Sequence, residues 1–186
     1  MTDIDEQVRT VFRNILRDIQ VEIGDEFDKN FERQGFFGQA WARRKSPVRS
    51  GGAILVDTGG LRRSIRSEIR ESSIIFVSEH PAAIHNEGGE VKVTAKMKRY
   101  FWHKYYAATG AFGRKKDGSV RSDSRTRRLG SEADFWKAMA LMKTGSTIKI
   151  PKRQFLGVSP EVEAAVREII EENLNEYVNN IDFKIK

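Results

Sequence analysis

Cysteine is absent from all 186 residues. That excludes disulfides, thiol nucleophiles and thiolate metal sites, and it fits a reducing cytoplasm. No apolar run approaches the ~18 residues needed to span a bilayer, and no charged-then-apolar leader opens the chain. The expectation is a soluble protein with no membrane partner, not exported by a cleaved signal. Histidine occurs only three times. His80 and His85 flank a proline and lack a third convergent ligand, so both read as hydrogen-bonded structural residues and not as a metal site. His103 sits between Trp102 and Lys104 with no acid beside it. A phosphate-cradling glycine loop and a nucleophile elbow are missing too. The sequence therefore offers no catalytic, metal or cofactor residues, and a non-enzymatic role is expected.

What is present is ordinary apolar content, 39%, and a net charge of +7 that is unevenly spread. Residues 1–30 hold 4 Lys/Arg against 8 Asp/Glu, residues 31–130 hold 21 against 9, and residues 131–186 hold 8 against 9. The basic character belongs to the middle of the chain, where it can meet phosphates or the acidic surface of a neighbouring subunit. Candidate DNA or subunit contacts are Arg43, Arg44, Lys45, Arg114, Lys115, Lys116, Arg125, Arg127 and Arg128. Lys96, Lys98, Arg99 and Lys104 interleave with Tyr100, Phe101, Trp102, Tyr105 and Tyr106, which mixes charge with stacking rings. The alternative is an amphipathic helix that buries its rings and keeps its lysines in water.

Along the chain, Val8, Val11, Phe12, Ile15, Leu16, Ile19, Ile23, Phe27 and Phe31 recur at three- and four-residue steps, one stripe of a long helix. Asp3 with Glu6 gives it a capping arrangement and Gly35 a stop, while Gly24 allows a bend. Phe36, Phe37 and Trp41 read as anchors on that helix, and Arg43 to Gly52 as an exposed basic loop. Ile65 to Arg70 and Ile74 to Val77 form a hairpin, and Val91 to Val93 a further strand. Residues 95–143 look inserted. Met97, Phe101, Tyr105 and Ala108 share a helical face, and a second helix starts at Ser131 with Phe135, Met139 and Met142 along it. Between them, residues 110–130 hold 7 Lys/Arg against 2 Asp/Glu and almost no apolar side chains; the expectation is a mobile basic arm. Thr147 to Ile150 reads as a last core strand. Ser159-Pro160 opens a final helix, striped by Val162, Val166, Ile169, Ile170, Leu174, Tyr177 and Val178. Two long helices with four or five short strands and no βαβ alternation predict an α+β fold. One domain over 1–186 is expected, with a helical hairpin and basic loop inserted at about 95–145.

The stretch from Ile54 to Ile69 is the best-specified reversal. An apolar run, Ile54 to Val56, meets Asp57-Thr58-Gly59-Gly60. Asp57 and Thr58 suit capping of the next helical turn, and the glycines suit a tight turn. Leu55-Val56-Asp57-Thr58-Gly59 is also similar to the signature of retroviral-type aspartic proteases, with Phe155-Leu156-Gly157 as their later apolar segment. Against that stand Gly60 where those proteases prefer Ala or Ser, and two long helices foreign to an almost all-β enzyme.

The order of four motifs resembles the phage virion morphogenesis family, the tail-completion proteins typified by the G protein of phage Mu. They are Phe31 to Trp41 after a first helix, Ile54 to Ile65, Ala82 to Gly89, and Ile150 to Ser159 leading into a last helix. The resemblance implies a small, mostly antiparallel sheet flanked by N- and C-terminal helices, similar to tail-terminator and neck proteins. It implies a virion protein made in the bacterial host cytoplasm, which completes the tail as a homo-oligomeric ring, a hexamer, between the tail tube protein and the head–tail connector or stopper. DNA would pass transiently through its lumen. Carried onto this chain, Asp57, Thr58, Gly59, Leu61 and Ser64 would shape the reversal. His85, Gly88 and Gly89 would shape a second turn, and Pro151, Arg153, Phe155 and Gly157 would brace the last helix. A DNA-binding module using the basic middle is the second reading, and the protease a remote third.

Overall fold

A computed structural model describes residues 3–48 and 51–179, with side chains from Asp5 onward in the first helix. The fold is α+β, as the periodicities predict, with long terminal helices and antiparallel strands. Among the described residues, six short strands pair as three two-stranded ribbons. The chain forms two compact units: a terminal unit of Met1–Trp41, Ala53–Asn86 and Arg153–Lys186, and an inserted unit of Ala42–Gly52 and Glu87–Lys152. The helical insertion expected at about 95–145 lies within the second.

In the terminal unit, helix α1 (Asp3–Arg33) turns Ile15, Ile19, Ile23, Phe27 and Phe31 into the core. Gly24 does not break it; a Cβ there would meet the Phe76 ring at 3.6 Å, an ordinary contact. The expected Asp3 cap rests on a side chain outside the described residues. The expected stop at Gly35 is one residue late. The helix ends at Arg33, with Gln34 after it in the left-handed region at φ 57°, and Gly35 opens strand β1 (Gly35–Phe36). Glycine is needed there for another reason: a Cβ would sit 2.5 Å from the Gln39 carbonyl oxygen in the paired strand β2 (Gln39–Ala40).

The single-turn helix α2 (Gly60–Arg63) leads into the expected hairpin, β3 (Ile65–Arg70) with β4 (Ser73–Ser78), in register Ile65 to Ser78. A 3-10 turn, Pro81–His85, follows, capped by His80, whose Nδ1 accepts from the Ala82 N–H at 3.1 Å. Helix α5 (Pro160–Asn179) packs on α1; Ser159 caps it, its Oγ accepting from the Val162 N–H at 3.3 Å. The Ile54 to Val56 run is irregular, with Leu55 at φ 59°. It packs half-buried against the core all the same.

In the inserted unit, strand β5 (Gly89–Lys92) pairs with β6 (Thr147–Ile150). Helix α3 (Ala95–Gly110) starts at Thr94, whose hydroxyl accepts from the Met97 N–H at 3.2 Å. It packs on α4 (Ser124–Leu141), with Phe101 stacked on Trp136 at 5.8 Å between centroids. Two expectations fail here. Helix α4 begins at Ser124, capped by Asp123, and not at Ser131. The basic arm is folded: Asp117 accepts from the Ser119 N–H at 2.9 Å, Gly118 takes φ 82°, and the Arg121 N–H reaches the Gly113 carbonyl at 2.7 Å. Local turn chemistry orders these residues without a core of their own.

Candidate functional site

Residues of the first, third and fourth motifs meet at one short segment, Arg153 to Leu156. Phe155 is fully buried, its ring 5.5 Å from that of Phe31. Such a segment has no helix or strand to satisfy its backbone, so side chains do. The Asn86 side-chain oxygen accepts from both the Phe155 and Leu156 N–H groups at 2.9 Å. The Trp41 indole N–H donates to the Gln154 carbonyl at 2.7 Å. Asn30, itself completely buried, donates to the Phe155 carbonyl at 3.4 Å and accepts from the Phe37 N–H at 3.0 Å. The Arg153 N–H donates to the His85 carbonyl at 2.6 Å, and the buried Arg153 guanidinium lies 3.4 Å from His85 Nδ1. Gly157 follows at φ 124°, a conformation glycine adopts freely. His85, Arg153 and Phe155 thus belong to one bonded stretch that precedes α5.

The Asp57 to Ser64 reversal is built differently from expectation. Gly59, at φ 77°, holds the N-cap position of α2, so neither Asp57 nor Thr58 stands there. The Arg63 guanidinium donates to the Thr58 carbonyl at 2.8 Å. Leu61 is buried, and Ser64 Oγ donates to its carbonyl at 2.7 Å. Arg62 reaches α1, pairing with Asp28 and, at 2.8 Å, with Glu32. Its hydrogen bonds hold the Asp28 carboxyl below the usual aspartate range. Asp57 is exposed on an irregular loop. Among the described residues no group of three or more His, Asp or Glu is placed to hold a metal ion.

The other motif residues belong to the inserted unit. Gly88, at φ 73°, lies so near Lys152 that a Cβ would be 2.8 Å from its backbone nitrogen. Gly89 opens β5, and Pro151 follows β6. All nine candidate contact residues are in this unit as well. Lys115, Lys116, Arg125, Arg127 and Arg128 are exposed, as are Arg43 and Lys45. Arg44 is half-buried, and Arg114 donates to the Gly118 carbonyl within the folded loop. The aromatic face of α3 divides: Phe101 is buried, while Tyr100 and Tyr106 face outward.

Sequence reasoning does not single out Asn30, Asn86 or Trp41 as the clamps they are. The signal for Asn30 is an amide beside Phe31, on the buried side of the first helix. It also misses an open apolar groove of about 730 Å³ in the terminal unit, running between α1, α5 and β4. Ile19, Phe76, Leu156, Val158, Val166 and Ile170 line it. Its floor is the clamped segment, so the motif hub holds one wall of an unfilled apolar surface.

A sequence model of the phage virion morphogenesis family matches residues 4–175, almost the whole chain. The chain belongs to that family. No curated protein and no solved structure matches it. Family membership makes it a phage virion component with a structural, assembly role. Among the described residues no helix is long and apolar enough to cross a membrane.

Proposed function

We propose that this chain is a tail-completion protein that works as a homo-oligomeric ring, a hexamer, at the head–tail neck. It caps the finished tail tube and offers its outer face to the head–tail connector, with no bond made or broken. The supporting observation is that the apolar stripes of the terminal helices extend beyond what one copy covers. Val8 and Phe12 of α1 and Leu174 and Val178 of α5 are all about half exposed, and Phe12 lines the open groove. Apolar surface arranged this way is buried by association, and subunits of a closed ring bury such faces against their neighbours.

Native mass spectrometry of the purified chain, alone and mixed with tail tubes, tests this. A ring mass that adds to tube ends is expected, and a monomer that never binds tubes would overturn it. The non-enzymatic reading is tested by Asp57→Asn, which should assemble as the wild type does. A second reading, contact with DNA, draws on the exposed cations Lys115, Lys116, Arg125, Arg127 and Arg128. It requires a duplex shift that weakens steeply with salt.

A further inference from the structure

The two units of the chain carry opposite charge. The terminal unit holds 13 Lys/Arg against 20 Asp/Glu, a net of −7; the inserted unit holds 20 against 6, a net of +14. The contrast sharpens at two helices. Helix α5 carries six glutamates and one arginine, and its Val162, Val166 and Ile170 line the apolar groove. Helix α3 carries four Lys/Arg and no acid. Its inner face is spent on Phe101 and Ala108, which are buried. Its outward residues Lys96, Arg99, Tyr100, His103, Tyr106 and Ala107 fall three, four, seven, ten and eleven positions after the first, which makes one continuous stripe. Within it Tyr100 and Tyr106 are 49% and 64% exposed. Lys104 lies over the Tyr100 ring, 5.5 Å from its centroid, and steadies it.

We propose that this outward stripe of α3 in one copy docks in the apolar groove of a second copy. The mode is an amphipathic helix laid into a groove, with tyrosine anchors at helical spacing. The rings cover the floor made by Phe76 and Leu156, while Lys96 and Arg99 meet the glutamates of α5. The opposed charges set orientation and encounter rate, and burial of the groove supplies affinity. Two different surfaces meet, so the contact is head-to-tail and propagates until it closes. DNA would neutralise the stripe but leave the groove in water; a second copy satisfies both. The inference rests on the ring reading and names the contact that builds the ring.

The absence of cysteine makes the test clean. Ala107→Cys on the stripe and Val158→Cys on the groove lip, 72% exposed, are placed in separate full-length chains. The two are mixed and treated with a flexible bis-maleimide. The expected result is a 107-to-158 heterodimer in the mixture. Adding Val166→Asp to the groove copy should cut its yield at least tenfold and lower the native mass. A wild-type ring without that cross-link overturns the groove contact and leaves the ring reading standing. A wild-type monomer overturns both. A 158-to-158 product, showing groove against groove, also overturns it. So does closure within one chain carrying both cysteines at high dilution. So does a duplex shift abolished by Lys96→Glu with Arg99→Glu while no 107-to-158 product forms.

Discussion

Asn30 gives the sharpest test of the hub. Its amide bridges Phe37 and Phe155 from a position with no solvent contact. The bond from the Phe37 N–H, at 3.0 Å, is the stronger; the one to the Phe155 carbonyl, at 3.4 Å, is long for an N–H to oxygen contact. Phe37 also sits at φ 45°, a conformation that costs a non-glycine residue of order 1 kcal/mol and persists only when its surroundings hold it. Asn30→Ala strands one good donor and one weak acceptor, each worth ~1–3 kcal/mol when buried, so a loss of ~2–3 kcal/mol is expected. Asn30→Asp is more discriminating. A carboxylate at this site is desolvated, which raises its pKa; a rise of ~2 units already costs ~2.7 kcal/mol at neutral pH. Once protonated, the same carboxyl regains the native pattern, its O–H donating to the Phe155 carbonyl and its other oxygen accepting from Phe37. The sign follows. A raised folded-state pKa penalises the variant above that pKa, and the penalty fades as pH falls toward the unfolded value near ~3.9. Urea unfolding of wild type and both variants, compared at each pH from 7.5 to 5, measures the difference. A deficit for Asn30→Asp that stays flat over that range would refute the clamp, as would a loss below ~0.5 kcal/mol for Asn30→Ala.

Two further predictions address the other unit and the ion pair. Gly88→Ala must hold a side chain at φ 73° and push its Cβ against the Lys152 backbone, so thermal unfolding should show a loss of ~1–3 kcal/mol. Gly118→Ala, also at positive φ but with open space around it, should cost less. Asp28 is held below the usual aspartate range by hydrogen bonds from Arg62, so its contribution is present above that range and lost as pH falls through the lowered pKa. Because the pair is substantially exposed, Asp28→Asn should remove no more than ~1 kcal/mol at pH 7, and the variant should converge with wild type in acid.

The hub and the groove share one piece of backbone. Phe155, Leu156 and Val158 line the groove, and the same segment is tied by Asn86, Trp41 and Asn30. A groove floor left to move would have to be ordered on docking, and that ordering would be subtracted from affinity. Clamping it in the free subunit removes the cost. On the contact proposed above, Asn86, Trp41 and Asn30 would hold the groove in shape and Tyr100 and Tyr106 of a second copy would fill it.

How far the sequence speaks depends on how local each signal is. The stripes of α1 and α5 and the β3–β4 hairpin are legible because their period is written in consecutive residues. The start of α4 is not. Its first turns are polar, with Arg125, Arg127 and Arg128 and no apolar repeat, so Ser131 reads as the cap in place of Asp123. The basic arm misleads for the same reason: composition weighs apolar surface, while an Asp117-Gly118 turn orders a loop through backbone bonds that composition cannot register. Gln34 replaces Gly35 as the helix stop because its side chain bridges Phe31 and Ile54, a long-range gain that offsets a left-handed backbone. Trp41 and Asn30 are the limiting case. Each meets its partner across more than a hundred residues, at Gln154 and Phe155. A contact of that kind leaves no trace in either neighbourhood except a polar group where the apolar stripe has no use for one. A buried amide interrupting a core-facing stripe is therefore itself a signal: it says that some distant backbone arrives there unpaired.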